Sequence, residues 1–447
     1  MRTHHRMIGL CLALLLVACT GPAPQELPDA TPTLPSSGAS LEDPVELVVW
    51  AEYWTMETAR SDPEGEGRYG RYIVEQFEKE HPGVKVQLEF HGWDESLRQN
   101  LFNALLAGTA PDIVVGENFF KPFIAADGLV AIDAQVADIY ADLLPGTYQA
   151  VLQDGQLYGL PAFTGVFGFE RNCEVVEAAG LDCDRPPETW EELLAEARSI
   201  TAQGEGAYYG YTLQGPVETS VGSALRVDVL MAQSGAEICV DDCSRPYFDN
   251  PKAIPALEFL REIYRYTPPG LAFNPDEGQV YEQLFRGLSA YQIAGSWHPQ
   301  WAIETGCEDC RYSPVPYPDS GQKANLVVGN VIYAVLKQSQ HPDLAVEWLK
   351  FLVRDDVQAL IYPALGRLPT TRSALETLYP AVDPAMQTFI TELLHNPNLT
   401  VLPQWQNQPQ ELWRIYNEML LQVLTTERPI PELMSEAQQA ALGVLGE

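Results

Sequence analysis

Between Val45 and Val115 the chain alternates strand, helix, strand, helix, strand, and this alternation restricts the fold more than any other feature. Val45–Trp50 (VELVVW) is a short Val-rich apolar run that reads as a buried strand. Tyr69–Glu80 places Tyr72, Ile73 and Phe77 at helical spacing and stops at His81-Pro82-Gly83. Val84–Phe90 (VKVQLEF) alternates as a strand does. Ser96–Ala107 sets Leu97, Leu101, Ala104 and Leu105 on one helical face and closes at Ala110-Pro111. Asp112–Val115 is the next strand. The order is that of a mainly parallel α/β sheet.

The remaining chain reads in the same terms. Leu157–Pro161 is a candidate crossover strand, and Thr189 with Glu192 forms a capping box ahead of a helix running to about Ile200. Pro251–Tyr266 is helical, with Leu257, Leu260, Ile263 and Tyr264 on its apolar side. Leu326–Leu336 is an apolar, β-rich run interrupted by Gly329-Asn330. His341-Pro342-Asp343 opens a helix expected to continue through Leu360, and Asp383–His395 and Gln410–Leu424 are helical. A length of 447 residues leaves room for two or three domains with sizeable cores. The net charge of −34, with no Lys/Arg cluster, argues against a nucleic-acid partner. It reads as a solvated acidic surface.

The N-terminus is an address. Arg2, His4, His5 and Arg6 precede the apolar run Ile8–Val17, which is half of the ~20 residues a membrane-spanning helix needs. Leu16-Val17-Ala18-Cys19 resembles a bacterial lipobox, which implies that residues 1–19 are a lipoprotein signal and that Cys19 is lipidated. A plain secretory signal is the alternative. Residues 20–44, rich in Pro, Ser, Ala, Thr and Gly, read as a flexible tether. The body is therefore expected outside the cytoplasm, anchored to the cell membrane. Six cysteines remain in it: Cys173, Cys183, Cys239, Cys243, Cys307 and Cys310. Export permits disulfides between close neighbours, although six cysteines allow 15 connectivities. A zinc site built from Cys239, Cys243, Cys307 and Cys310 is the rival, and otherwise no metal or cofactor is expected.

Several segments together resemble the extracellular solute-binding proteins of ABC importers, of the carbohydrate-binding type that includes maltose-binding protein. They are FEKEHPGVKV (77–86), LAGTAPDIV (106–114), DGLVAID (127–133), DGQLYGLP (154–161), EAAGLD (177–182) with PETWEEL (187–193), YQIAGSW (291–297), AVEWLKFL (345–352) and GRLP (366–369). Each is weak alone; in this order they span about Val45 to Leu445. The cysteine pairs depart from the family pattern. The resemblance implies a two-lobed periplasmic-binding-protein-like α/β fold, its discontinuous lobes joined by crossover strands. One lobe is then 45–161 plus 326–370, and the other 162–324 plus 371–447. It also implies a monomer that captures a sugar or oligosaccharide in the cleft, without catalysis, and delivers it to ABC permease subunits.

A sugar needs polar groups for its hydroxyls and an aromatic plate for its C–H face. Covering ~100 Å² of that face contributes about 2.5 kcal/mol. Trp190, Trp348, Trp413 and Trp50 sit in regular apolar patterns and read as core. Trp54, with Glu52 and Tyr53 beside it, follows the first strand, where ligand-facing loops leave α/β sheets. Trp93 follows the second strand, and Glu117 and Asn118 the third. Phe163 and Thr164 follow the crossover, and Gln214 follows Tyr209–Leu213. Trp297, after Gly295-Ser296, is the strongest stacking candidate, because the family often places an aromatic there; His298 reads as its polar neighbour and Trp301 as core. Asn330, Arg367 and Trp405, the last in a polar loop, complete the candidates. An exported glycoside hydrolase using two of the 61 acidic residues is one alternative. A scaffold lipoprotein needing no cleft aromatics is the other. H-E-x-x-H, G-x-S-x-G and P-loop motifs are absent from the sequence.

Overall fold

The architecture hangs on two long strands. The computed structural model describes residues 44–55, 67–117, 119–216 and 221–447. Cys19, the tether and Asn118 therefore lie outside the described residues. The main sheet has nine strands, numbered here along the chain: β1 Val45–Trp50, β2 Val84–Glu89, β3 Ile113–Gly116, β4 Leu160–Asn172, β5 Tyr209–Tyr211, β6 Ser289–Gly295, β7 Cys310–Ser313, β8 Asn325–Val335 and β9 Leu399–Thr400. Their order is β2-β1-β3-β8-β4-β6-β5, with β7 on β4 and β9 on β8. β1 pairs parallel with β2 and β3, as the βαβ alternation demands.

The second half of β8 pairs antiparallel with β3, through Ile332 to Gly116 and Val335 to Ile113. β8 also pairs along β4, from Val327–Val166 to Tyr333–Leu160. The far end of β4 pairs with β6, from Phe167–Gly295 to Arg171–Tyr291. Two strands thus carry the chain between a β1–β3 group and a β5–β6 group. All 13 residues of β4 are buried. A strand covered on both faces loses the alternation that would reveal it, so only its first residues were foreseeable as a crossover. Gly329-Asn330 does not end β8. It produces a register shift between Val328 and Val331, with Gly329 at φ 62, a conformation that glycine adopts without a Cβ clash.

The apolar core divides accordingly. One cluster gathers Leu47, Phe77, Val114, Phe163, Ile332 and Trp348 around the β1–β3 group. A second gathers Phe167, Trp190, Leu257, Tyr291, Trp413 and Leu433 around the β5–β6 group. A third, with Val166, Val327, Leu368 and Phe389, lies where β4 and β8 pass between them. The helix expected from His341 to Leu360 is two helices, Pro342–Leu352 and Asp355–Leu365, because Arg354 leaves helical geometry (ψ 147) and Asp355-Asp356 starts a new first turn.

The cysteines pair locally: Cys173–Cys183, Cys239–Cys243 and Cys307–Cys310. The four-cysteine zinc arrangement is not formed, since its members are consumed in two disulfides. Polar contacts among the described residues join the two groups away from the sheet. The Lys121 ammonium donates to both Asp242 carboxylate oxygens at 2.9 and 3.0 Å, and Gln410 donates to Glu95.

Trp405 is placed differently from the sequence expectation. It is 1% exposed, edge-on to Phe248 at 5.6 Å and to Trp413 at 5.8 Å, inside the second cluster. Its loop is polar because Gln406 donates to the Asp242 carbonyl, while the indole turns inward. Trp405→Ala is expected to destabilise the fold by ~3–5 kcal/mol through the cavity it leaves. Denaturant unfolding monitored by circular dichroism measures this.

Candidate functional site

Strand ends and the turns after them converge on a cavity of about 530 Å³. That is the scale of pockets that enclose small organic ligands. Six of the sequence candidates line it: Trp54, Trp93, Glu117, Phe163, Trp297 and Arg367. Trp54 follows β1 and Trp93 follows β2, and their rings meet edge to face at 5.1 Å. Phe163 lies within β4, and Trp297 stands two residues beyond β6.

Trp297 has a prepared seat. A Cβ on Gly295 would come within 2.4 Å of its indole, one on Gly329 within 3.1 Å and one on Gly165 within 3.2 Å. Three neighbouring strands, β6, β8 and β4, each give up a side chain where the ring lies. Arg367 stands between the two groups of strands. Its guanidinium is 4.7 Å from the centre of the Trp297 ring and 5.2 Å from that of Trp54, a cation–π contact with an indole from each side.

Several candidates stand behind the wall instead of on it. Glu52 is fully buried, accepts from Thr55 and from the Tyr333 hydroxyl at 2.6 Å, and is held above the ordinary carboxylate range by its burial. Thr164 donates to the Asn330 side chain, and the Asn330 backbone N–H donates to Glu117 Oε1 at 3.2 Å. Thr164 and Asn330 therefore brace the bulge and orient Glu117. Gln214 is buried and accepts from Arg226 at 3.2 Å and from the Tyr281 hydroxyl. Glu52 and Gln214 do follow strand ends, while Thr164 and Asn330 lie inside β4 and β8; the sequence did not show which face any of the four occupies. Tyr53 is exposed and rests near Phe90, and Trp405 is in the core.

Other lining residues were missed. Glu277, Gly278 and Tyr281 come from the helix Glu277–Phe285, and Trp301 from the helix His298–Thr305. Glu277 and Tyr281 are four apart, so they share a helical face, and the Tyr281 hydroxyl donates to Glu277. Arg226 stacks on the Tyr281 ring at 4.0 Å and donates to Glu277 at 3.4 Å. Burial holds the Tyr281 phenol well above its ordinary range, so it stays a neutral donor. A carboxylate and a phenol one turn apart, beside the apolar pair Val280 and Leu284, were the available signal. Trp301 was assigned to the core; it does pack on Phe285 and His298, but its edge reaches the cavity. His298 is fully buried behind this wall, 3.0 Å from Glu170.

The arrangement offers flat aromatic faces from both sides, carboxylates at Glu117 and Glu277, and a guanidinium. It supplies stacking and hydrogen bonding to a polar ring. Residues 61–359 match the model of the family described as bacterial extracellular solute-binding protein. The chain belongs to that family. A binding protein of Brucella abortus is 25% identical over 347 residues, covering 76% of this chain and 82% of its own. The sn-glycerol-3-phosphate-binding periplasmic protein of Yersinia pseudotuberculosis is 23% identical over 328 residues, covering 70% of this chain and 73% of its own. Among solved structures, the sugar-binding protein MalE of Xanthomonas citri superposes with a TM-score of 0.75 at 21% identity, covering 90% of this chain and 98% of its own. In this extracellular solute-binding protein the fold is thus the two-lobed one, with the aromatic cavity between strand groups.

The glycine seat makes a direct test of the site's geometry. Gly295→Ala should displace the Trp297 indole, lowering stability by ~1–3 kcal/mol from overpacking. The near-ultraviolet dichroism of the tryptophans should change while the far-ultraviolet spectrum stays intact.

Proposed function

We propose that this solute-binding protein captures a neutral sugar or short oligosaccharide between its lobes and hands it to the permease of an ABC importer. The observation that carries the reading is the set of indoles facing one cavity from both sides, Trp54 and Trp93 against Trp297 and Trp301, with carboxylates at its margin. An indole face covers the C–H face of a pyranose, while Glu117 and Glu277 accept from its hydroxyls. Family membership supports solute capture, and the sugar-binding neighbour supports the ligand class.

The working lobe limits remain 45–161 plus 326–370 and 162–324 plus 371–447. Ligand touching both lobes stabilises the closed form by exactly the contacts that the open form lacks, which shifts the population toward closure. Closure is then the signal a permease reads. Cys19 is proposed to carry lipid and residues 20–44 to act as the tether, which keeps the body near its permease. Catalysis is not part of this reading, since the relatives are named for binding.

One observation favours a second ligand class. Arg367 places a guanidinium in the cavity, which would suit an anionic solute such as a glycerol phosphate. The two lining carboxylates, Glu117 and Glu277, oppose a phosphate and favour the sugar. Calorimetric titration with a panel of neutral mono- and oligosaccharides and with sn-glycerol 3-phosphate separates the two. The sugar reading expects binding of at least one neutral sugar, recovered chemically intact. Binding of the phosphate alone, or released reducing ends, would sink it. Trp297→Ala should then weaken sugar binding roughly 30- to 100-fold, the equivalent of about 2.5 kcal/mol of lost contact, without unfolding the protein.

A further inference from the structure

A second cavity, of about 250 Å³, opens beside the Cys239–Cys243 loop and shares no lining residue with the aromatic one. Asp228, on the helix Val221–Gln233, lines it and is 5% exposed. Its Oδ1 accepts from the Tyr416 hydroxyl at 2.9 Å. Its Oδ2 is buried and has no hydrogen-bond partner among the described residues. Buried carboxyl oxygens in folded proteins nearly always have a donor, so this one marks a place where a donor belongs.

The neighbouring cation does not supply it. Among the described residues Lys121 is the one basic residue lining the cavity, and its ammonium donates to the Leu152 carbonyl at 2.7 Å and to both oxygens of Asp242. An ammonium has three donors, and these contacts use them. Asp242 is held in that position by its loop. Asp241, Asp242 and Cys243 all have positive φ (53°, 53° and 58°), a conformation that side chains resist. The Cys239–Cys243 bridge and the 2.9 Å bond from Gln406 to the Asp242 carbonyl close the loop around it. Lys121 and Asp242 therefore cancel each other. The remaining carboxyls on the lining are Asp228 and Glu237. Met231, Ile238 and Leu326 make the wall beside them apolar.

We propose that this cavity binds a small organic ammonium ion, its N–H donating to Asp228 Oδ2 and its short carbon chain packed on Met231, Ile238 and Leu326. A neutral hydroxyl could make the same hydrogen bond. The ammonium is favoured because the unmatched charge on the lining is negative and because a buried carboxylate is stabilised most by a countercharge. At about half the volume of the aromatic cavity, it suits a smaller ligand. The site is independent of the sugar reading and of the residues that carry it.

The chemistry fixes a pH signature. Burial pushes the Asp228 carboxyl up to about 7. Below that pH the carboxyl keeps its proton, and an ammonium must displace it. Affinity therefore rises as pH climbs through 7 and levels off above it. The other titratable groups around Asp228 are the Tyr416 phenol, which burial holds well above its ordinary range, and Lys121, Asp242 and Glu237 on the same lining. Of the elements packed on the Asp228 helix, β8 carries Tyr333, which is engaged by Glu52. The helix Ile254–Tyr264 directs Arg261 to the Val423 and Arg428 carbonyls.

The test is calorimetric titration of the full chain with n-butylammonium chloride at pH 8 and pH 5.5, with 1-pentanol as the uncharged probe of similar shape. One-to-one binding at pH 8 is expected, about 30-fold weaker at pH 5.5, the factor set by 1.5 pH units below a carboxyl near 7. Pentanol should bind at least ten-fold more weakly than the ammonium at pH 8. Asp228→Asn should remove the ammonium response while keeping the far-ultraviolet spectrum and the sugar response of the wild type. The pH and pentanol arms use the wild-type protein, so they decide the matter even if the variant folds poorly. No ammonium binding at pH 8, equal binding at the two pH values, equal binding of pentanol, or an unchanged response in a folded Asp228→Asn protein would each overturn the proposal.

Discussion

The antiparallel pairing of β4 with β8 is the constraint on which the rest of the molecule depends. Both strands are long enough to leave one group of parallel strands and enter the other, and both are buried along nearly their whole length. Each therefore contributes to two apolar clusters and to the third cluster between them. Backbone hydrogen bonds in such strands have no water to fall back on, so the pairing is held rigidly. Any relative movement of the two groups must be absorbed in the few residues where the strands pass between clusters. The register shift at Gly329-Asn330 sits there.

The same shift builds the cavity wall. Gly329 takes a positive φ, Asn330 turns its side chain to Thr164 and its N–H to Glu117, and the space left by Gly329, Gly295 and Gly165 receives the Trp297 indole. The cavity wall and the strand crossing are therefore one piece of backbone. A further polar layer stands behind the wall. Gln214, Arg226, Glu277 and Tyr281 are linked by hydrogen bonds and a stacked cation, and this braces the helix that carries the cavity's second carboxylate. Buried hydrogen-bonded networks of this kind rigidify the groups they connect, and here Glu277 and Tyr281 among them line the cavity.

Much of this was legible in the sequence, for identifiable reasons. The β1–β3 region shows both periodicities cleanly, because its helices have a wet face and its strands are short, so Val45–Trp50 was delimited to the residue. β4 was seen only at its start, since LPAFTGVFGFERN is covered on both sides and has no alternation to read. For the site, the strand-end rule found the neighbourhood but not the face. Glu52 and Trp54 are two residues apart, and one is sealed against Tyr333 while the other is 37% exposed at the cavity. Trp405 misled because loop polarity describes the chain around a residue, and a single indole can turn out of that loop into a core. Glu277 and Tyr281 were missed because Tyr281 is buried with Val280, Leu284 and Phe285, and periodicity does not separate a buried residue of the core from one that lines a cavity.

The acidic excess also looks different once it is placed. A net charge of −34 spread over solvated faces says little about function. What matters is which carboxyls have been taken out of water. Glu52 accepts from two hydroxyls, so burial raises it but leaves it satisfied. Glu170 is fully buried and receives Gln292, Tyr312 and His298. Asp228 has a donor for one oxygen only, and the lysine that could have served the other is bound to Asp242 by a loop held in a costly backbone conformation. These three buried carboxyls thus stand in three conditions, and of them only Asp228, beside a cavity, leaves an oxygen without a donor. A disulfide that merely closed a surface loop would not need to hold an aspartate against a buried lysine. Held there, Asp242 occupies the ammonium of the lysine on the same lining, so Asp228 has no countercharge among the described residues.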